Sequence, residues 1–222
     1  MRKLPAWLVL LFPVVVTIAV SAQSGSLLYE NGVYCPGYCH DGWQINQGLA
    51  VSDSFVLTKD SRVTGFDFWA WEFPGDRVLR VQWSITSSEF GGIVYGSGSV
   101  PVSHDGFIAL NEWGFDIDKV TVFGLNVALP SGTYWLNLQN ATDEQHLAVF
   151  WDENSGGGCH SLGCPSLASE NQLGTIPSET FDIQGTNLSD EESGGNDSNS
   201  RTGLLWGPVL IGLAATLRRF VL

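Results

Sequence analysis

Alternation with a period of two is the feature that most restricts this chain. In "VLRVQWSIT", Val78 to Thr86, the residues Leu79, Val81, Trp83 and Ile85 fall on one side, and Arg80, Gln82, Ser84 and Thr86 on the other. Successive side chains of a strand point to opposite faces, so this stretch predicts a strand with one dry face and one wet face. "GTYWLNLQN", Gly132 to Asn140, repeats the pattern, with Tyr134, Leu136 and Leu138 inward and Thr133, Trp135, Asn137 and Gln139 outward. "VTGFDFWAWEF", Val63 to Phe73, is apolar on both faces and predicts a central strand covered on both sides. Further strands are expected at Val51–Leu57, Phe123–Leu129, His146–Asp152 and Ser178–Ile183. "FPGD" (Phe73 to Asp76) and "LPSGT" (Leu129 to Thr133) read as turns, through their Pro and Gly residues. The chain shows no amphipathic helix of useful length and no repeat of fixed period. The expected fold is therefore all-β, an antiparallel two-sheet sandwich of the jelly-roll kind.

Both ends of the chain read as sorting signals around that body. Arg2 and Lys3 precede an apolar stretch from Leu4 to Val20, and Val20-Ser21-Ala22 supplies small residues of the cleavage type. Residues 1–22 are thus read as a secretory signal peptide, the apolar run being short for a retained anchor. Residues 23–186 form the expected sandwich domain. Residues 187–203, containing "LSDEESGGNDSNSRT", are acidic and rich in Ser, Gly and Asn, the composition of a disordered linker. In residues 204–222 the apolar run Leu204–Leu217 would span roughly 20 Å as a helix, against the roughly 30 Å of a bilayer core. Arg218-Arg219 after it favours the cytoplasmic side.

Charge narrows the function classes. The 222-residue chain carries a formal net charge of −13. Between Gln23 and Ser200 the only basic residues are Lys59, Arg62, Arg77, Arg80 and Lys119, while all 23 Asp and Glu lie in that span. Nucleic-acid binding needs a basic patch, so it is excluded as a main role. A strongly acidic body fits an exported protein kept apart by self-repulsion, with carboxylates free for calcium.

The apolar-then-Arg-Arg tail resembles the PEP-CTERM class of bacterial proteins, whose C-termini are processed by exosortase-type transpeptidases. Asn199-Ser200-Arg201-Thr202 stands where that class has Pro-Glu-Pro. A GPI-type tail would also combine small residues, a spacer and an apolar end, and the terminal Arg-Arg argues against it. The stretch from "VSDSF" through "VTGFDFW" to "PGD" (Val51 to Asp76), "GTYWLNLQNA" (Gly132 to Ala141) and the stretch from Phe150 to Phe181 are similar to a group of exported bacterial proteins of unknown function, many with PEP-CTERM tails. This resemblance implies the fold, export to the cell surface or extracellular space, a sorting transpeptidase as partner, and membrane contact through the C-terminal helix before processing. It implies no chemistry.

The four cysteines sit in two short stretches, "YCPGYCH" and "GCHSLGCPS". In an oxidising compartment an even count points to disulfides, with local bridges Cys35–Cys39 and Cys159–Cys164 expected first. Long-range pairings remain open, as does a zinc site that adds His40 and His160.

Three kinds of chemistry are then weighed. Exposed aromatic faces beside polar side chains bind sugars, and Trp135 with Asn137 and Gln139, or Trp69 and Trp71, would provide such a face for an extracellular polysaccharide. "DENSGGG" bunches oxygen ligands with glycine, making Asp152, Glu153 and Asn154 candidate ligands of a structural calcium. "FDID" (Phe115 to Asp118) does so less well, and neither stretch has the EF-hand spacing. A hydrolase would need two facing carboxylates, for which Asp152, Glu153, Glu170 and Glu179 are available. Asp152 and Glu153, being adjacent, point apart. No catalytic residue is assigned. The expected role is a non-catalytic surface or matrix protein without a required cofactor; a carbohydrate-binding module and a secreted hydrolase are the alternatives.

Overall fold

The computed structural model describes residues 25–34, 41–154 and 165–190. Thirteen strands make up the fold: β1 (Ser26–Glu30), β2 (Gly42–Gln44), β3 (Ala50–Leu57), β4 (Ser61–Glu72), β5 (Val78–Ser88), β6 (Gly91–Pro101), β7 (His104–Leu110), β8 (Asp116–Leu129), β9 (Gly132–Asp143), β10 (Phe150–Asp152), β11 (Ala168–Glu170), β12 (Gly174–Ile176) and β13 (Phe181–Asn187). They form two antiparallel sheets, the all-β sandwich expected from the alternation. In the seven-stranded sheet, β4 is central. Its one edge pairs with β13 and then β10, which carry β1 and β2 outward; its other edge pairs with β8, then β7. The six-stranded sheet runs β12-β11-β3-β9-β5-β6. The chain changes sheet at most of its connections, as between β3 and β4, β4 and β5, and β8 and β9.

The inner faces follow from the sequence. Val51, Phe55 and Leu57 of β3, Phe66, Phe68 and Ala70 of β4, Val120 and Val122 of β8, and Tyr134, Leu136 and Leu138 of β9 enter one core. Phe55, Phe66, Phe68, Trp151 and Phe181 are fully buried there and meet largely edge to face, as in Phe68–Trp151 at 6.2 Å and Trp151–Phe181 at 5.5 Å. Each such side chain contributes about 1.5–3 kcal/mol through area removed from water. The "FPGD" turn is present: the Asp76 N–H donates to Phe73 O at 2.9 Å, and Gly75 sits at a φ of 78°, where a side chain would be strained.

Three expectations are corrected. Leu79 points outward and is 45% exposed, while Val78 is buried. The β5–β9 register shifts twice, between Val78 and Arg80 and between Arg80 and Gln82, so the alternation changes phase before Val81. The strand expected at His146–Asp152 is limited to Phe150–Asp152, and that expected at Ser178–Ile183 runs instead from Phe181 to Asn187, one residue past the expected domain end. Strand β6 was not anticipated, because "GGIVYGSGSVP" lacks apolar alternation. Gly96 is held in close contact: a Cβ there would lie 2.6 Å from Val127 Cγ2 and 3.2 Å from the Trp83 ring. The signal peptide, the rest of the linker after Asp190 and the C-terminal apolar segment lie outside the described residues.

Candidate functional site

The inner face of β4 reads Phe66, Phe68, Ala70, Glu72, and that of β8 reads Asp118, Val120, Val122. Both strands thus carry a carboxylate inward just where the apolar rows end. Asp105 on β7 pairs with Val120 and joins them. The carboxylates of Glu72, Asp105 and Asp118 approach so closely that one ligand oxygen from each lies within 4.8 Å of the others. Glu72 is 1% exposed and Asp118 is buried, while Asp105 is half-buried. Asp105 Oδ2 accepts the Val78 N–H of the facing sheet at 2.8 Å. Both oxygens of Glu72, Asp105 Oδ1 and Asp118 Oδ1 are buried without a hydrogen-bond partner among the described residues.

The electrostatics match this geometry. Burial, then the charges of Asp105, Asp118, Asp76 and Asp143, push Glu72 up to about 9. Asp105 rises to about 7, through burial and then Asp118, against the opposing pull of the Val78 N–H and Arg77. Asp118 rises to about 6, through burial and Asp116, against Arg77 and a hydrogen bond shared with Asp105. Next to them Asp76 Oδ1 accepts three backbone N–H groups, from Arg77, Glu144 and Gln145. Asp143 accepts Leu147 N–H at 2.6 Å, and its carboxyl is raised by burial and by a hydrogen bond with Asp76. Clustered carboxylate oxygens suit a hard cation and not a soft one.

A second group of buried acids lies between β3, β11 and the start of β13. Asp53 is fully buried. It accepts from Ser54 N–H (2.7 Å), Glu179 N–H (2.7 Å), Ser178 Oγ (2.8 Å), Asn31 Nδ2 (3.1 Å) and Ser166 Oγ. Burial raises it to about 7, and the donors hold it from rising further. Glu179, also fully buried, has neither oxygen partnered among the described residues; burial and then the charges of Asp53, Glu153, Asp152 and Asp41 raise it well above the usual range.

The residues singled out in the sequence are distributed differently. Trp69 and Trp71 do share a face, the outer face of the seven-stranded sheet, but they are 9% and 5% exposed and form no open platform. Trp69 stacks on Tyr34 and lies under Lys119 Nζ, 4.7 Å from the ring centre; Trp71 stacks on Phe115. Outward aromatic rings on a central strand were covered by neighbours that alternation alone does not reveal. Trp135 and Gln139 are half-buried on the outer face of the six-stranded sheet. Asn137 between them is buried, its amide donating to Thr86 Oγ1 at 2.8 Å and its oxygen accepting Phe90 N–H at 3.1 Å. Across that face Ser169, Ser52, Asn137, Ser84 and Ser97 stand in register on five adjacent strands. The most exposed indole in the described residues is one the sequence reading passed over, Trp113 at the β7–β8 turn.

Asp152 and Glu153 do diverge. Asp152 Oδ1 accepts Trp71 Nε1 at 2.5 Å on the outer side, whereas Glu153 Oε1 accepts Trp43 Nε1 at 2.9 Å on the inner side. Asn154 Nδ2 donates to Asn31 O. These three side chains make separate hydrogen bonds. Glu170 Oε2 accepts the N–H groups of Gln172 and Leu173, both at 2.8 Å, and so caps the β11–β12 turn. Cys35, Cys39, Cys159 and Cys164, with His40 and His160, lie outside the described residues. The residues bracketing them meet: Glu153 N–H donates to Asp41 O at 3.2 Å, and Thr180 Oγ1 to Val33 O at 3.4 Å and Glu153 O at 3.2 Å. Comparison with protein-family models and with curated proteins finds no match, so function is argued from this geometry.

Proposed function

We propose that the chain is an exported, non-catalytic β-sandwich protein of the cell surface or extracellular matrix, sorted by its C-terminal apolar segment. The observation that supports this most directly is how its acids are used. Of the four carboxylates weighed for hydrolysis, Asp152 and Glu153 accept indole N–H groups, Glu170 caps a turn, and Glu179 is sealed in the interior away from any substrate. A general acid and base must face a substrate across a cleft, and these face protein. The acidic body, the signal-type N-terminus and the Arg-Arg tail supply the case for export. The test is intact mass and non-reducing peptide mapping of protein recovered from its host, with fractionation of the surface. We expect an N-terminus at Gln23, a mass lowered by the hydrogens of two disulfides, and linked Cys35–Cys39 and Cys159–Cys164 peptides. An unprocessed chain with free thiols in the cytoplasm would sink the reading.

A second reading, polysaccharide binding, rests on the flat polar row around Asn137 with the half-buried Trp135 beside it. Sugars stack on indole faces and hydrogen-bond to such rows. Quenching or enhancement of tryptophan fluorescence by an acidic or neutral polysaccharide, lost in Trp135→Ala, would support it. A silent glycan array together with unchanged fluorescence removes it.

A further inference from the structure

We propose that Glu72, Asp105 and Asp118 bind a hard divalent cation of the calcium type between the two sheets. No single stretch of the sequence contains this site. It is assembled by three adjacent strands of the seven-stranded sheet, β4, β8 and β7. The independent sign of a ligand is Glu72: 1% exposed, with a carboxylate oxygen in the cluster and no donor for either of its oxygens among the described residues. A buried carboxylate is ordinarily hydrogen-bonded, paired with a cation or bound to a metal. The largest charges acting on Glu72, from Asp105, Asp118, Asp76 and Asp143, are all negative, while Arg77 offsets part of the charge on Asp105 and Asp118.

The geometry suits calcium. A calcium ion holds its oxygens at about 2.3–2.6 Å, so two of them are never more than about 5 Å apart. The three carboxylates already satisfy that limit. Asp105 is the least buried of the three. Zinc prefers nitrogen and sulfur ligands, and the cluster offers oxygen alone. Asp53 makes a poor rival, since its oxygens are already occupied by five donors. The site stands apart from the proposed surface role and does not depend on it. Its task would be structural: one ion ties β7 and β8 to the C-terminal end of β4, where Asp105 already bonds to β5 of the other sheet.

The experiment uses the full chain, stripped with EDTA and dialysed into chelator-free buffer at pH 7.5. Calcium is added during calorimetric titration and thermal melting, with Glu72→Gln, Asp118→Asn and Glu179→Gln variants alongside. We expect saturable binding near one ion per chain and, at calcium about a hundredfold above Kd, a rise in Tm of roughly 5–10 °C. Glu72→Gln should melt higher than the parent without calcium, because a neutral amide avoids the cost of protonating or burying the acid on folding, yet gain little when calcium is added. Asp118→Asn should also lose the calcium increment, and it decides the matter if Glu72→Gln does not fold. Glu179→Gln should keep the increment. No heat and no shift at millimolar calcium would overturn the proposal and leave the cluster held by shared protons. A calcium increment lost in Glu179→Gln but kept in Glu72→Gln would overturn it too, by placing the ion at the other group of acids.

Discussion

Asp53 and Glu72 are both sealed between the sheets, yet their surroundings are opposite. Asp53 is wrapped by two backbone N–H groups, two serine hydroxyls and an asparagine amide. Glu72 has no donor at all among the described residues and faces two further carboxylates. Burying a charge costs several kcal/mol unless hydrogen bonds or an opposite charge replace water. The first site uses hydrogen bonds. The second lacks them, and an ion or a proton must do the same job. What the contrast teaches is that a buried acid should be read through its donors: a satisfied one is part of the framework, an unsatisfied one is a place for something else.

The contrast can be broken most forcefully at Asp53. Asp53→Ala strands the Glu179 N–H and removes the acceptor that Ser54 N–H, the Ser166 and Ser178 hydroxyls and the Asn31 amide share, although Asn31 keeps Glu179 O and the two serines keep each other; a lost hydrogen bond to a carboxylate costs about 1.5–3 kcal/mol. Denaturant unfolding should show a loss upward of about 3 kcal/mol, or no folded protein; a loss below about 1 kcal/mol would contradict the network.

Acidity comes next. Asp53 and Asp105 (each about 7) and Glu72 (about 9) bind protons more tightly folded than unfolded. Their folded values lie above their unfolded ones, so calcium-free protein should be most stable near pH 4–5 and lose stability as pH rises through 7 toward 9. Melting curves at pH 5 and pH 8 check the sign. Calcium should narrow the difference, because it binds the deprotonated cluster. A calcium-free protein more stable at pH 8 would remove the unsatisfied-acid description of Glu72.

Smaller effects sharpen the comparison. Trp71→Phe keeps the ring and deletes one charge-assisted bond to Asp152, and should cost about 1.5–3 kcal/mol by chemical denaturation. An unchanged midpoint would mean that Asp152 readily finds water. Gly75→Ala strains a turn at a φ of 78° beside Asp76, and a loss of about 1 kcal/mol is expected. An equal or higher Tm would show that the turn changes type without penalty.

Much of this was legible from particular residues. Both acids stand at inward positions of strands the sequence predicts: Val51, Asp53, Phe55 and Leu57 share one face, as do Phe66, Phe68, Ala70 and Glu72. A carboxylate in an apolar row is therefore a signal in its own right, and reading the Val63–Phe73 stretch only as apolar on both faces passed over it. Asp118 lies in the "FDID" stretch already weighed for calcium. Asp105 gave no signal beside His104, because β7 lacks clean alternation. The indoles misled for the opposite reason: periodicity placed Trp69 and Trp71 on one face, but exposure depends on Tyr34, Phe115, Phe150 and Lys119, which arrive from distant segments.

The sequence by itself determined that the body is built of strands, which residues face inward along most of them, and where the Pro-Gly turn falls, because side-chain direction and turn chemistry are local properties of the backbone. Tertiary structure alone decided which strands are neighbours, where a bulge reverses the alternation at Leu79, and which acids are left without donors. Residues 72, 105 and 118 meet only because β4, β8 and β7 lie side by side. Strand pairing across such separations follows from how whole faces pack, and no local period encodes it.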